Sequence, residues 1–317
     1  MTIHHVTAVA ADPQRTLDFY TGVLGLRLVK LTVNYDDPDN YHFYFGFGDE
    51  LGRPGSILTC FPWSGGRAGR HGVGQIGEVS LAVPRESLGH WIERLLSRGV
   101  PYQGPARRFD EQVLSLKDPD GLLLEVVATS RVAAVEPWRD GPVPAEHAVR
   151  GLHSVTIWED GDTGTAALLT GTLGFRQVGE AENRVRLESA GTGPGTVVDL
   201  RRAPGFWRGE GGVGTVHHVA FRSPSSDAQE QTRREVERLG LGVTGVLDRQ
   251  YFQSVYFREP GGVLFEIATD APGFTIDESP AELGSSLRLP PAREAERGRI
   301  AAGLPPLRLP HGPAPEV

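Results

Sequence analysis

The chain has 317 residues, 39% hydrophobic and 23% charged, with a formal net charge of −8, enough for two domains of ordinary size that each bury a core. The acidic balance and the scattered basic residues exclude an electrostatic footprint for nucleic acid or an anionic membrane, and no apolar run approaches the roughly 20 residues of a membrane-spanning helix. Cys60 is the only cysteine, which excludes intramolecular disulfides and a thiolate zinc site; with no basic-then-apolar leader after Met1, a cytoplasmic protein is expected.

In chain order one sketch recurs four times: a strand, an amphipathic helix, then strands ending in an apolar run. The first copy starts at Ile3-His4-His5-Val6-Thr7, signals a helix at Asp12-Pro13 that ends at Gly22, and continues with strands at Leu24–Val29, Tyr41–Phe47 and Ser56–Phe61. The segment Pro62–Gly74 is rich in Gly and Arg, but it lacks Gly-Lys-Ser/Thr and a strand-loop-helix context, so it reads as a connector and not a phosphate cradle. The second copy opens at Ile76–Val83, has a helix from about Glu86 to Ser97 before Gly99, and closes through Pro119-Asp120-Gly121 into Leu122–Val127.

Residues 131–150, with Pro137, Pro142 and Pro144, read as a linker, after which the pattern restarts. The third copy has Leu152–Ile157, a helix near Gly164–Thr170 and Leu173-Gly174-Phe175, an echo of Leu24-Gly25-Leu26. The fourth has Val216-His217-His218-Val219, a helix over Ser226–Leu239 and the strand Val263–Glu266. A proline-rich tail, 272–317, is expected to pack over a domain surface, with a short charged helix at Ala292–Ala302 and disordered final residues.

Overlaying the four copies compares the chain with itself. The first-strand position holds His5, Glu78, Ser154 and His218; the last-strand position holds Thr59, Glu125, Asp199 and Glu266. Side chains alternate along a strand, so His5, His218 and Glu266 converge if copies one and four close on each other. Two histidines and one carboxylate form a facial triad that leaves positions open for substrate and dioxygen, which suits non-haem Fe(II), with Mn(II) the nearest substitute. Copies one and four are then expected to share a metal-bearing barrel, with two and three as its companion.

The repeated unit and these His/Glu positions resemble the vicinal oxygen chelate superfamily, also called glyoxalase/bleomycin-resistance/dioxygenase proteins, over residues 3 to about 270. The resemblance implies an α+β fold of four βαβββ modules forming two open barrel-like mixed-sheet domains, 2–130 and 151–271. Within that superfamily the two double-histidine signatures, with Arg249 and Tyr256, are similar to hydroquinone-type ring-cleaving dioxygenases. By that resemblance His5, His218 and Glu266 bind Fe(II), while His4, Thr7, His217, Arg249 and Tyr256 form the surrounding shell and substrate contacts. The implied partners are a small aromatic molecule and dioxygen, and a homo-oligomer is compatible with this.

A 1,4-dihydroxybenzene cannot chelate through adjacent oxygens, so one phenolate is expected on iron, with Arg249 and Tyr256 stabilising charge on ring and oxygen. His4 and His217 suit acid or base roles because histidine titrates near neutrality, but strict alternation turns them from the ligand face unless a bulge intervenes. Taken singly the residues have plainer readings: Arg249 as a surface ion-pair partner, Tyr256 as a core aromatic, Thr7 as ordinary strand vocabulary. His42, His153 and Cys60 read as structural, and Glu78, Glu125 and Asp199 as the non-metal half. A glyoxalase-like isomerase or lyase and a non-catalytic binding protein are the competing readings; Thr59 at the fourth ligand-like position speaks against a four-ligand glyoxalase site.

Overall fold

The computed structural model describes residues 1–47, 57–132, 135–191 and 193–310. The first module is β1 (Ile3–Ala10), α1 (Pro13–Leu17) continuing into a π-wound turn, β2 (Arg27–Val33), β3 (Tyr41–Gly46) and β4 (Ile57–Pro62). The second is β5 (Gln75–Pro84), α2 (Leu88–Ser97), β6 (Tyr102–Arg108), β7 (Glu111–Lys117) and β8 (Leu123–Thr129). The third is β9 (Gly151–Glu159), α3 (Thr163–Gly171), β10 (Phe175–Ala181), β11 (Arg184–Ser189) and β12 (Val197–Arg202). The fourth is β13 (Thr215–Ser223), α4 (Ser226–Arg238), β14 (Leu247–Asp248), β15 (Phe252–Arg258) and β16 (Leu264–Pro272); α5 (Arg297–Gly303) lies in the tail.

Local chemistry sets the helix starts. Asp12 accepts the Arg15 amide at 2.7 Å with Pro13 in the first helical position, and Ser225 Oγ accepts the Ala228 amide at 3.2 Å. The stop expected at Gly22 lies further on: the π-wound turn carries the chain through Val23, and Gly25, at φ 71°, makes the left-handed exit.

The strands form two eight-stranded mixed sheets, ordered β14-β15-β16-β13-β1-β4-β3-β2 and β10-β11-β12-β9-β5-β8-β7-β6. Each joins modules that are not the sequence pairs, one with four and two with three, as the shared ligand set required. In the first sheet β1 runs antiparallel to β13 and parallel to β4, while β13 runs parallel to β16. The central strands are covered on both faces; every residue of β1 is buried. That explains why β1 reads as an apolar run broken only by His and Thr.

The Gly-rich connector crosses its counterpart between modules three and four. Gly69 N donates to Val213 O, and Arg70 and Glu210 exchange backbone hydrogen bonds. A Cβ on Gly72 would sit 2.4 Å from the Trp207 carbonyl, so its glycines serve close backbone approach. The tail fastens onto β2, where Arg288 N donates to Leu31 O at 2.9 Å and Leu287 bridges Leu31. Its expected helix is a 3-10 turn at Pro291–Glu296 followed by α5. Ser56 and the final residues, the subject of two expectations, lie outside the described residues. Among those described, no helix is long and apolar enough to cross a membrane.

Candidate metal centre

Adjacent strands β1, β13 and β16 bring together the three residues that the overlay picks out. Thr7 pairs with His218 and Ala220 with Glu266, which puts His218 two residues from the partner of Glu266 and on its face. His218 Nε2 lies 2.9 Å and His5 Nε2 3.4 Å from Glu266 Oε2, and the two imidazole nitrogens are 3.3 Å apart. One donor atom from each residue fits within 4.8 Å of the others, and all three residues are buried.

The donor set fits a divalent ion. Ser254 Oγ donates to Glu266 Oε1 at 2.5 Å, while Oε2 is buried and accepts no well-formed hydrogen bond. Burial would raise the Glu266 carboxyl, but His5 and His218 outweigh it and hold it well below the usual carboxylate range. Burial lowers His218 against the pull of Glu266. An ionised carboxylate beside a deprotonated imidazole is the state a metal requires.

The double histidines have a structural cause. Ile3 pairs with Phe221 and His5 with Ala220, so His4 is an extra residue on β1; Thr7 pairs with His218 and Ala8 with Val216, so His217 is an extra residue on β13. These β-bulges break the alternation that would send both rings to the far face. Each bulge histidine places Nδ1 2.8 Å from Nδ1 of the next histidine. With Nε2 reserved for a metal, Nδ1–H of His5 and His218 donates to that neighbour, which fixes tautomer and ring orientation. Burial, then the neighbouring His5 or His218, lowers His4 to about 3 and His217 to about 4. Both shifts favour the uncharged ring, which can accept the Nδ1–H of the adjacent ligand histidine.

Above the triad opens a cavity of about 450 Å³ with Phe61, Trp63, Phe252 and Leu264 on its apolar wall and Thr7, His42, His217, Arg249 and Tyr256 among its polar groups. His4 is not among its lining residues; it packs against Phe252, ring centroids 5.3 Å apart. Arg249 Nε donates to Tyr256 Oη at 3.3 Å, its guanidinium carbon lies 5.4 Å from the Tyr256 ring centre, and Nη2 reaches Asp36 Oδ2 at 3.1 Å. Burial, then Glu266, raises the Tyr256 phenol, so it stays a donor. A hydroxyl relay runs from His42 to Thr59 (3.0 Å), Thr59 to Thr7 (2.8 Å) and Thr7 to His218 Nε2 (2.9 Å).

Several pocket residues escaped the sequence reading. His42 stands on the pocket wall, and the period of two along Tyr41–Phe47 puts it on one face with Tyr44. The same period along β15 aligns Phe252 and Ser254 with Tyr256. Asp36, in the loop after β2, carries no sequence signal; it meets Arg249 because the loops after β2 and β14, at opposite edges of the sheet, come together. Cys60 is fully buried in the core. In the companion sheet arginines hold the ligand-like acids: Arg108 on Glu125, Arg186 on Asp199 and Arg201 on Glu78. His153 lies 2.8 Å from Glu111.

Comparison with known proteins agrees with this geometry. Residues 2–126 and 151–267 match the family described as the Glyoxalase/Bleomycin resistance protein/Dioxygenase superfamily. The chain is 45% identical over 309 residues to MhqO of Bacillus subtilis strain 168, named as a candidate ring-cleaving dioxygenase, covering 98% of this chain and 97% of that protein. It is 37% identical over 308 residues to the chlorohydroquinone/hydroquinone 1,2-dioxygenase of Sphingobium indicum, covering 94% of each. A crystal structure of a candidate dioxygenase from Bacillus subtilis superposes with a TM-score of 0.92 at 44% identity over 98% of both chains. Glyoxalase I from Zea mays, at 17% identity and a TM-score of 0.64, covering 85% of this chain and 92% of its own, shares the fold. The chain belongs to the glyoxalase/bleomycin resistance protein/dioxygenase superfamily.

Proposed function

We propose that the chain is an Fe(II)-dependent ring-cleaving dioxygenase that acts in the cytoplasm on hydroquinone or a substituted hydroquinone. One observation carries this reading: a buried two-histidine, one-carboxylate set, with Glu266 Oε2 left without a hydrogen bond, lies beneath a cavity that His5 and His218 line and that has room for an aromatic ring. The similarity to a hydroquinone 1,2-dioxygenase over nearly the whole chain supports the substrate class.

His5 and His218 through Nε2, and Glu266 through Oε2, would hold the metal, with Mn(II) the nearest substitute for iron. The metal would supply a Lewis-acidic, redox-active centre with open positions for a phenolate and dioxygen. Phe252 and Leu264 would clamp the ring and exclude water. Arg249 would face charge that develops on ring and oxygen, and Tyr256, kept protonated, would donate a hydrogen bond there. His217, whose Nδ1 would accept from His218 Nδ1–H, would keep its own proton on Nε2 and donate a hydrogen bond from the cavity wall to the bound phenolate. Ring opening would then occur beside the hydroxyl-bearing carbon.

The test is anaerobic loading with Fe(II) followed by oxygen consumption and ultraviolet spectra with hydroquinone, methylhydroquinone, chlorohydroquinone and catechol. Iron-dependent uptake that prefers the 1,4-diols and vanishes in His218→Ala is expected. Preference for catechol would overturn the substrate assignment, and tight metal binding without uptake would favour an isomerase or lyase.

A further inference from the structure

The second sheet encloses a cavity of about 510 Å³ in the place that corresponds to the metal-bearing pocket. The correspondence is one of register: Thr7 pairs with Thr59, Ala220 with Glu266, Ser80 with Glu125 and Thr156 with Asp199. The bulges correspond too, with Gly77 the extra residue on β5 and His153 on β9. What differs is the source of positive charge at the centre.

Guanidinium groups hold the acids at the ligand-like positions. Arg108 grips Glu125 through two nitrogens at 2.5 and 2.6 Å, and Arg186 grips Asp199 at 2.9 and 3.0 Å. Arg184 donates to Thr156 Oγ1 at 2.6 Å and to Asp199 at 3.3 Å, both through Nη1, and lines the cavity. Four arginines and three glutamates line the cavity, with Asp199 beneath Arg184. Burial first, and then the nearby Arg108, lower the Arg184 guanidinium against the pull of Asp199, Glu78 and Glu125.

The walls offer flat apolar surface. Trp158 donates its indole N–H to Glu78 at 2.7 Å and carries the Arg201 guanidinium 5.0 Å from its ring centre; the Phe109 ring lies 4.3 Å under Arg186. Phe109 (φ 52°) and Glu182 (φ 54°), at the tips of the β6–β7 and β10–β11 hairpins, both line this cavity. A half-barrel kept only for packing would fill its interior with apolar side chains; this one keeps a charged cavity with aromatic walls.

We infer that the second half-barrel is a binding site for a small planar monocarboxylate, its carboxylate facing Arg184 and Arg201 and its flat body lying against Trp158 and Phe109. Calorimetric titration of the full-length, EDTA-treated protein with benzoate, and with benzamide as the uncharged isostere, tests this. Benzoate should bind with Kd of about 1 mM or below and benzamide about tenfold more weakly. Arg184→Met and Arg201→Met should each weaken benzoate about tenfold, while His218→Ala should leave it unchanged. Arg201 has a side chain 40% exposed, so its substitution preserves the fold should Arg184→Met misfold. No heat from folded protein, equal binding of benzamide, or loss of benzoate in His218→Ala with retention in Arg201→Met would overturn the inference; the last would put the anion in the metal pocket.

Discussion

His4 does not line the cavity, yet it stands one hydrogen bond from the triad. As the extra residue of a bulge it reaches the ring nitrogen of His5 that faces away from the triad. His4→Phe keeps the aromatic packing on Phe252 but removes that acceptor, and metal affinity should fall about 10- to 100-fold, measured by titration of the chelator-treated protein. Arg249 acts on the other side of the site. Arg249→Met should leave the metal content intact and lower kcat by about 100-fold, read by oxygen consumption at saturating substrate. Adjacent histidines were legible in the sequence as a pair, His5 and His218 as ligands with His4 and His217 around them; the bulges that turn the outer rings onto their neighbours were not, because only the paired strand shows which residue is extra.

Two contacts between elements carry stability that can be measured. Lys30 of β2 is buried against the tail, where Asp277 accepts at 2.6 Å, Glu278 accepts closely and the Phe274 carbonyl lies 3.0 Å away. Breaking one partner of a buried ion pair leaves the other charge uncompensated. Lys30→Met, which leaves the fully buried Glu278 with only Arg288 at 3.3 Å, should therefore destabilise by about 3 kcal/mol and the Lys30→Met, Glu278→Gln double variant should recover part of it, by denaturant unfolding. The second contact joins β9 and α3 to the β15–β16 turn: Thr165 Oγ1 approaches Glu159 at 2.9 Å and also Glu259. Burial, then Glu259, pushes Glu159 up to about 7. The folded protein then binds more protons than the unfolded chain between the ordinary glutamate value and about 7, so this group's contribution to stability is full below that window and lost as pH rises through it. Glu159→Gln should unfold with a midpoint less dependent on pH over that range, and should be the more stable protein at pH 8 by about 2 kcal/mol. An unchanged pH dependence would count against the raised Glu159 carboxyl.

At the scale of the whole molecule, each sheet is completed by the other half of the chain. A fragment of residues 1–130 holds β1 without β13 and β5 without β9, and so exposes two long apolar strand edges. Size-exclusion chromatography should find it associated or aggregated, with no stoichiometric Fe(II) binding, and co-expression with residues 135–317 should restore both. The sequence by itself determined the module count, the two first-strand histidines and the last-strand carboxylate, because period-two burial and metal ligation both demand particular residue types at fixed steps along a strand. The tail's packing was also legible from its prolines and apolar residues. Tertiary structure decided the rest: the bulges that redirect His4 and His217, the meeting of Asp36 with Arg249 across the sheet, the place of His42 on the pocket wall, and the guanidinium centre of the companion sheet. These depend on pairing between strands up to some two hundred residues apart, and the geometry of such a pairing is set by the partner strand, which no local pattern in the chain encodes.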